Sequence, residues 1–291
     1  MKVRQIKELL SQVDNPALLF NKLLVLQYTE QISQSQDVRK IEYIISFTEI
    51  LKGKKPQKPP ELEGVKQDSF RLKTAYRLVI GAGYPSFIEN GFMFHHVYGI
   101  PYIPGETLKG LARAVFILSV AEAIKGKFDP SKIEEGLSEE AEVISYQIPE
   151  KINIILDNYT IENPVETFRK IFGSKKRRGQ VIFFDAYPVE FKPSEHFEAD
   201  IMNSHYGDYY QSGKAPADWL SPNPIHFLAL KEGIDFEFSL GLAPLEPMED
   251  NEEKLLLETA RKLLEVGLKN FGVGNKKRKG YGWFSDKTVG R

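Results

Sequence analysis

The hydrophobic patterning of this 291-residue chain predicts an α+β fold with long insertions. Three observations carry that expectation. Arg71–Ile80 alternates apolar and polar residues, stretches near 105–118 and 247–270 are amphipathic at helical spacing, and apolar strand-like runs occur at Val181–Tyr187, Phe227–Leu230 and Ile234–Leu242. With a short terminal strand at Tyr281–Phe284, the order is strand, helix, strand, strand, helix, strand, which is that of a ferredoxin-like domain.

Residues 1–69 precede this pattern and read as a helical extension and linker. Ile6, Leu9, Leu10 and Val13, then Leu18, Leu19, Leu23 and Leu26, then Ile41, Ile44 and Ile45 recur at helical spacing. Lys52–Gly64, rich in proline and lysine, reads as an extended strap that ends the extension. The domain proper is expected over 70–291, with insertions at about 126–178 and 192–224. Its first strand places Leu72, Tyr76, Leu78 and Ile80 on one face and Arg71, Lys73 and Arg77 on the other. After a glycine turn at 81–83 and the pair His95 and His96, two prolines hold the backbone extended up to Gly105. A helix starts there, with its apolar stripe at Leu108, Leu111, Ala112, Val115 and Leu118. The Lys231–Gly233 turn is expected to close a hairpin between the runs on either side of it. The last helix begins in acidic residues, buries Leu256, Ala260, Leu263, Leu264 and Leu268, and delivers the chain to the loop FGVGNKKRKGYGWF at Phe271–Phe284.

Composition narrows the function classes. The chain has no cysteine, so disulfides and zinc–thiolate sites are ruled out, and a reducing, cytoplasmic setting is expected. No apolar run is long enough for a membrane helix, and the sequence starts without a signal-peptide pattern. Thirty-nine basic and forty acidic residues nearly cancel, so any polyanion site must be local. Nucleotide-fold glycine fingerprints, phosphate-loop, zinc-protease and serine-hydrolase motifs are all missing. His95 and His96, adjacent in an extended segment, are expected to point oppositely and to make a poor metal site.

What remains is a surface for a polyanion. Gly272, Gly274, Asn275, Lys276, Lys277, Arg278, Lys279, Gly280 and Tyr281 form a glycine-rich cationic loop whose backbone can approach a ligand closely. Lys109 and Arg113, one helical turn apart behind a helix N-terminus, suit phosphate, and Arg71, Lys73 and Arg77 offer a basic strand face. His95 and His96 can stack on a base or hydrogen-bond a phosphate. The aromatic tract at 192–224, with His205 and Tyr206, suits either splayed bases or a protein interface. Asp185, alone at a strand end, reads as a hydrogen-bonded structural carboxylate.

Taken together, PYIPGETLKGLAR, the terminal glycine-rich loop, HHVYGIPYIPG, FFDAYP and DIMNSHYGDYY resemble the RAMP superfamily of CRISPR proteins, and within it the sixth-subunit family of type III-B (Cmr) effector complexes. The likeness runs from Arg71 to the C-terminus. It implies a ferredoxin-like (RRM-like) RAMP domain that binds the crRNA guide towards its 3′ end, contributes to target RNA binding and antiviral defence, and contacts other Cmr subunits, with no membrane, metal, cofactor or catalytic residue. Lys109 and Arg113 match the cations of the family pattern and Gly272–Gly282 its loop. Glu106 departs from it, standing where small hydroxyl residues are usual. The alternative expectation is a RAMP-type endoribonuclease acting on guide or target RNA, with His95 or His96 as general acid/base or Asp200 holding a metal.

Overall fold

The structure, a computed structural model, describes residues 8–27, 36–56, 59–60, 65, 67–125, 129–139, 148–202, 224–245 and 247–286. The N-terminal stretch is helical, with short turns over Pro16–Gln27 and helix α1 at Gln36–Ile50. Asn15 starts the first turn by accepting the Leu18 N–H at 3.0 Å, and Pro16 follows at a position where its missing N–H removes no helical bond. Phe20, Tyr43 and Phe47 pack edge to face, and Phe47 reaches Phe94 and Phe197. The extension therefore packs into the same apolar core as the rest of the chain.

Strand β1, Gln67–Thr74, begins ahead of the expected Arg71 and ends before Tyr76. Helix α2 follows at Gly105–Ile124. The first insertion holds helix α3 at Pro130–Ser138, a two-stranded ladder of β2 (Lys151–Asn153) and β3 (Thr160–Glu162), and helix α4 at Pro164–Phe172. Strands β4 (Val181–Phe183) and β5 (Tyr187–Pro188) precede β6 (Phe197–Met202), β7 (Ile225–Leu230) and β8 (Asp235–Leu242). Helix α5, Asp250–Asn270, and the two-residue strand β9, Phe284–Ser285, complete the order.

The main sheet is antiparallel in the order β4, β8, β1, β9, with β5 also on β8. Alternation along β1 and β8 buries Phe70, Leu72, Phe236, Phe238 and Leu240, and Phe70 stacks on its cross-strand partner Phe238 at 5.3 Å. Helices α2 and α5 pack on each other, close enough at Gly267 that a Cβ there would lie 2.6 Å from Leu111 Cγ. The mixed helix and strand architecture is as the sequence predicts.

The expected hairpin across Lys231–Gly233 does not form. β7 pairs with β6, while β8 pairs with β1, so the turn links two different sheets. The reason lies at Thr74, which is buried at the end of β1. Its hydroxyl donates to the Lys231 carbonyl at 2.9 Å and accepts the Ile234 N–H at 3.0 Å, and its carbonyl accepts the Gly233 N–H at 2.8 Å. The polar groups of the turn are thus satisfied from β1, and the edge of β8 is already occupied. No described helix is long and apolar enough to cross a membrane.

Candidate nucleic-acid interface

The glycine-rich loop after α5 is fastened to the segment that follows β1. Asn275 N–H donates to the Val79 carbonyl at 2.7 Å, Gly282 N–H to the Arg77 carbonyl at 2.8 Å, and Val273 N–H to the Gly282 carbonyl at 2.9 Å. Asn275 Oδ1 accepts the Ala82 N–H at 3.2 Å. Two glycines are required by this construction. Gly282, at φ +73°, would place a Cβ 1.8 Å from the Val273 carbonyl oxygen, and Gly274, at φ +79°, would place one 2.4 Å from that of Val79. At these positions the close approach expected toward a ligand is instead an approach to the chain itself.

The four cations divide. Lys276, at φ +59°, turns inward, with Nζ 2.7 Å from Met202 Sδ and 4.9 Å from the centroid of Phe227. Burial lowers its pKa, against an opposite pull from Asp200. Lys277, Arg278 and Lys279 occupy a single helical turn and point into solvent, with no ion pair among the described residues. Gly272, Gly274, Asn275 and Lys277 form one wall of a cleft of about 580 Å³. Thr107, Gly110, Leu111 and Ala114 of α2 form the facing wall, and Tyr84, exposed by half, stands at its edge. Gly110 has no atom within 4 Å of the place its Cβ would occupy, so this stretch of α2 is open to another backbone.

Other sequence candidates lie elsewhere. Arg113 is drawn away from the cleft by Glu134 of α3, at 2.7 Å, and lies 5.0 Å from the Phe168 ring centroid. Lys109 is half-buried, and burial together with Arg113 lowers its pKa. Arg71 pairs with Glu237 at 2.8 Å and Lys73 with Asp235 at 2.7 Å, so the basic strand face is matched by acids on β8. Arg77 donates to Glu198 and lies 3.4 Å from Asp200. Tyr281 is buried, and its hydroxyl donates to Asp200 Oδ2 at 2.6 Å; burial and that carboxylate raise its pKa. Gly280, at φ +91°, closes the cationic turn. His205 and Tyr206 lie outside the described residues.

Two expectations about the approach to α2 are corrected. The helix N-terminus is not an open phosphate cradle, because the Gly105 N–H is taken by Asp185 Oδ1 at 2.7 Å and the Thr107 N–H by the Pro104 carbonyl at 2.9 Å. Asp185 is therefore the hydrogen-bonded structural carboxylate that the sequence suggested. His95 and His96 do not point oppositely. Their chain is turned, with Gly99 N–H on the His95 carbonyl at 2.6 Å, so the two rings stack at 5.2 Å and 8°. Sequence reasoning passed over Tyr84 and Thr107, although the G-A-G-Y-P turn signal marks where Tyr84 leaves the core. Among the described residues, no group of three or more His, Asp or Glu side chains is placed to hold a metal ion.

Residues 71–285 match the family model of the RAMP superfamily. Over 232 residues the chain is 32% identical to the CRISPR system Cmr subunit Cmr6 of Pyrococcus furiosus, which covers 73% of this chain and 66% of that protein. The crystal structure of Cmr6 from Pyrococcus furiosus is similar at 29% identity and TM-score 0.49, covering 78% of this chain and 100% of that one. A cryo-EM structure of the type III-B Cmr-beta bound to cognate target RNA is similar at 19% identity and TM-score 0.47, covering 88% of this chain and 66% of that one.

Proposed function

This chain belongs to the RAMP superfamily, and from that premise we propose that it is a noncatalytic RNA-binding subunit of a type III-B CRISPR (Cmr) effector complex. It holds the crRNA guide, contributes to target RNA binding, and assembles with other Cmr subunits in the cytoplasm. The strand order β4, β8, β1, β9 within a strand–helix–strand–strand–helix–strand chain supports reading the domain as ferredoxin-like. The likeness to Cmr6, of whose length the chain spans 66%, supports the choice of complex.

One observation carries the binding reading. Lys277, Arg278 and Lys279 are exposed on a loop whose backbone is pinned to residues 77–82, and Lys277 borders a cleft whose other wall offers the bare backbone of Gly110. A pinned backbone spares the cost of ordering the loop when its cations meet phosphate, and an open glycine lets a sugar–phosphate chain lie against the helix. Binding is supported over metal-assisted cleavage at Asp200, whose carboxylate is taken up by protein partners: it accepts from the Tyr281 hydroxyl and faces Arg77.

The test is the triple variant K277A/R278A/K279A, titrated with fluorescein-labelled single-stranded RNA at several salt concentrations. Each lost phosphate contact removes about 0.7 from the slope of log K against log salt, so the slope should flatten by up to about 2, equally for unrelated sequences. Unchanged affinity and slope would remove the loop from the RNA path.

A further inference from the structure

Beyond the cleft, past Tyr84, lies a feature that the RNA-binding reading does not use. Asp185 is exposed, with Oδ1 on the Gly105 N–H at 2.7 Å and Oδ2 accepting the Tyr187 hydroxyl at 3.4 Å, and it has no ion pair among the described residues. Aromatic rings surround it. Tyr102 and Tyr187 stack at 6.0 Å and 19°, and His95 lies 5.7 Å from Tyr102 and 6.1 Å from Tyr187. Glu106, exposed in the first turn of α2, is a second carboxylate without an ion pair among the described residues.

This patch is held firmly. The His95–Gly99 turn is closed by its own 2.6 Å hydrogen bond, and Asn15 Nδ2 donates to the Val97 carbonyl at 2.9 Å and the His96 carbonyl at 3.2 Å. Its potential is negative. The Tyr102 hydroxyl is pushed up by burial and then by Asp185, Tyr84 and Glu106; burial and His96 hold His95 below its ordinary value, against an opposite pull from Asp185. Two carboxylates repel the phosphate that any stacked nucleotide would bring with it. The complementary group is a flat cation that can lie on a tyrosine face and hydrogen-bond a carboxylate along its edge; among protein side chains guanidinium is the one that does both while staying charged throughout the physiological range and offering a bidentate fork.

We propose that Asp185 with Tyr102, Tyr187 and His95 forms a docking site for an arginine side chain of a polypeptide partner. The site is independent of the RNA-binding reading, and a partner seated there covers the end of α2 next to the cleft. Glu106, where a small hydroxyl residue would suit phosphate, is part of the same electrostatics.

The test is a titration of the full-length chain with acetyl-Gly-Arg-Gly-amide, followed by NMR of its five histidines, with the citrulline counterpart as the uncharged control and single-stranded RNA as the competing ligand class. The arginine peptide should shift the signals that H95Q and H96Q remove, and the citrulline peptide should not. D185N keeps an oxygen for the Gly105 N–H while removing the charge, so it should stay folded, melting within a few degrees (~2–4 °C) of the parent, but bind the arginine peptide about tenfold more weakly or worse. Equal shifts from the citrulline peptide, or full binding by D185N, overturn the proposal. RNA moving these signals while the arginine peptide leaves them unmoved places a nucleobase there and also overturns it. RNA affinity lost in K277A/R278A/K279A leaves these outcomes untouched, so the two readings fail separately.

Discussion

Gly110 gives the cleft its most direct trial. A glycine inside a helix costs about 1 kcal/mol relative to alanine, because the chain loses more freedom on ordering. Where such a residue is needed internally, the reason is visible, as at Gly267, whose Cβ would collide with Leu111 at 2.6 Å. At Gly110 the corresponding space is empty to 4 Å and faces the cleft, so no packing within the described chain requires it. Gly110→Ala should therefore stabilise the fold by about 1 kcal/mol, raising the thermal midpoint by about 2 °C. Gly110→Leu should keep most of that gain, since leucine is nearly as good a helix former as alanine, but it projects a branched side chain into the cleft. Displacing one or two charge-assisted phosphate contacts costs about 1.5–3 kcal/mol, or roughly 10- to 100-fold in RNA affinity, as read by fluorescence anisotropy. Gly267→Ala is the contrast, expected to lose about 1–3 kcal/mol by overpacking. An unimpaired Gly110→Leu would show that RNA does not pass through the cleft, and a destabilised Gly110→Ala would reveal an internal role for the glycine.

Two further outcomes test the frame that holds the site. Thr74→Val should lower stability by about 2 kcal/mol in urea denaturation, because it strands the Ile234 N–H that the hydroxyl satisfies at 3.0 Å in a buried turn. Gly282→Ala should cost more than about 3 kcal/mol, since its φ is +73° and its new carbon would sit 1.8 Å from a carbonyl oxygen. Limited proteolysis of that variant should cut first within 271–284.

How far the sequence could be read depended on how local the deciding interaction was. Helix α2 was legible because prolines, then Gly105, then a 3.6-residue stripe all lie within one stretch of chain. The hairpin expected at Lys231–Gly233 was not, because a turn signal is local while the competitor for β8 is β1, more than 150 residues away. The basic face of β1 shows the same limit. Its alternation is visible, but Glu237 and Asp235, which answer Arg71 and Lys73, are brought opposite only by the antiparallel register. In the loop the glycines were evident, yet nothing in K-K-R-K distinguishes Lys276. Its left-handed backbone and the Met202 and Phe227 side chains beneath it turn it away from solvent. The histidine pair was misplaced because an extended backbone was assumed where Asn15, eighty residues earlier, helps to hold a turn.

These pairings narrow what the proposed RNA binding can rest on. With Arg71, Lys73, Arg77 and Arg113 matched by acids and Lys276 turned inward, the outward charge of the candidate site reduces to Lys277, Arg278 and Lys279 beside a half-buried Lys109. Three phosphate contacts on a single strand give a salt slope of only about −2, which is shallow for a protein that must hold RNA at physiological salt by itself. The open face of the main sheet adds little, because its ion pairs leave it nearly neutral where a basic, aromatic face would be needed to hold bases and phosphates. Under the assembly proposed above, affinity then comes from continuity. Each subunit supplies a few cations, and once neighbours are docked the next contact is effectively intramolecular. A nearly neutral chain with a cationic rim on the cleft, and with a carboxylate among aromatic rings next to it, fits that division of labour: under the proposed function the rim positions RNA while other parts of the surface remain available for protein contacts.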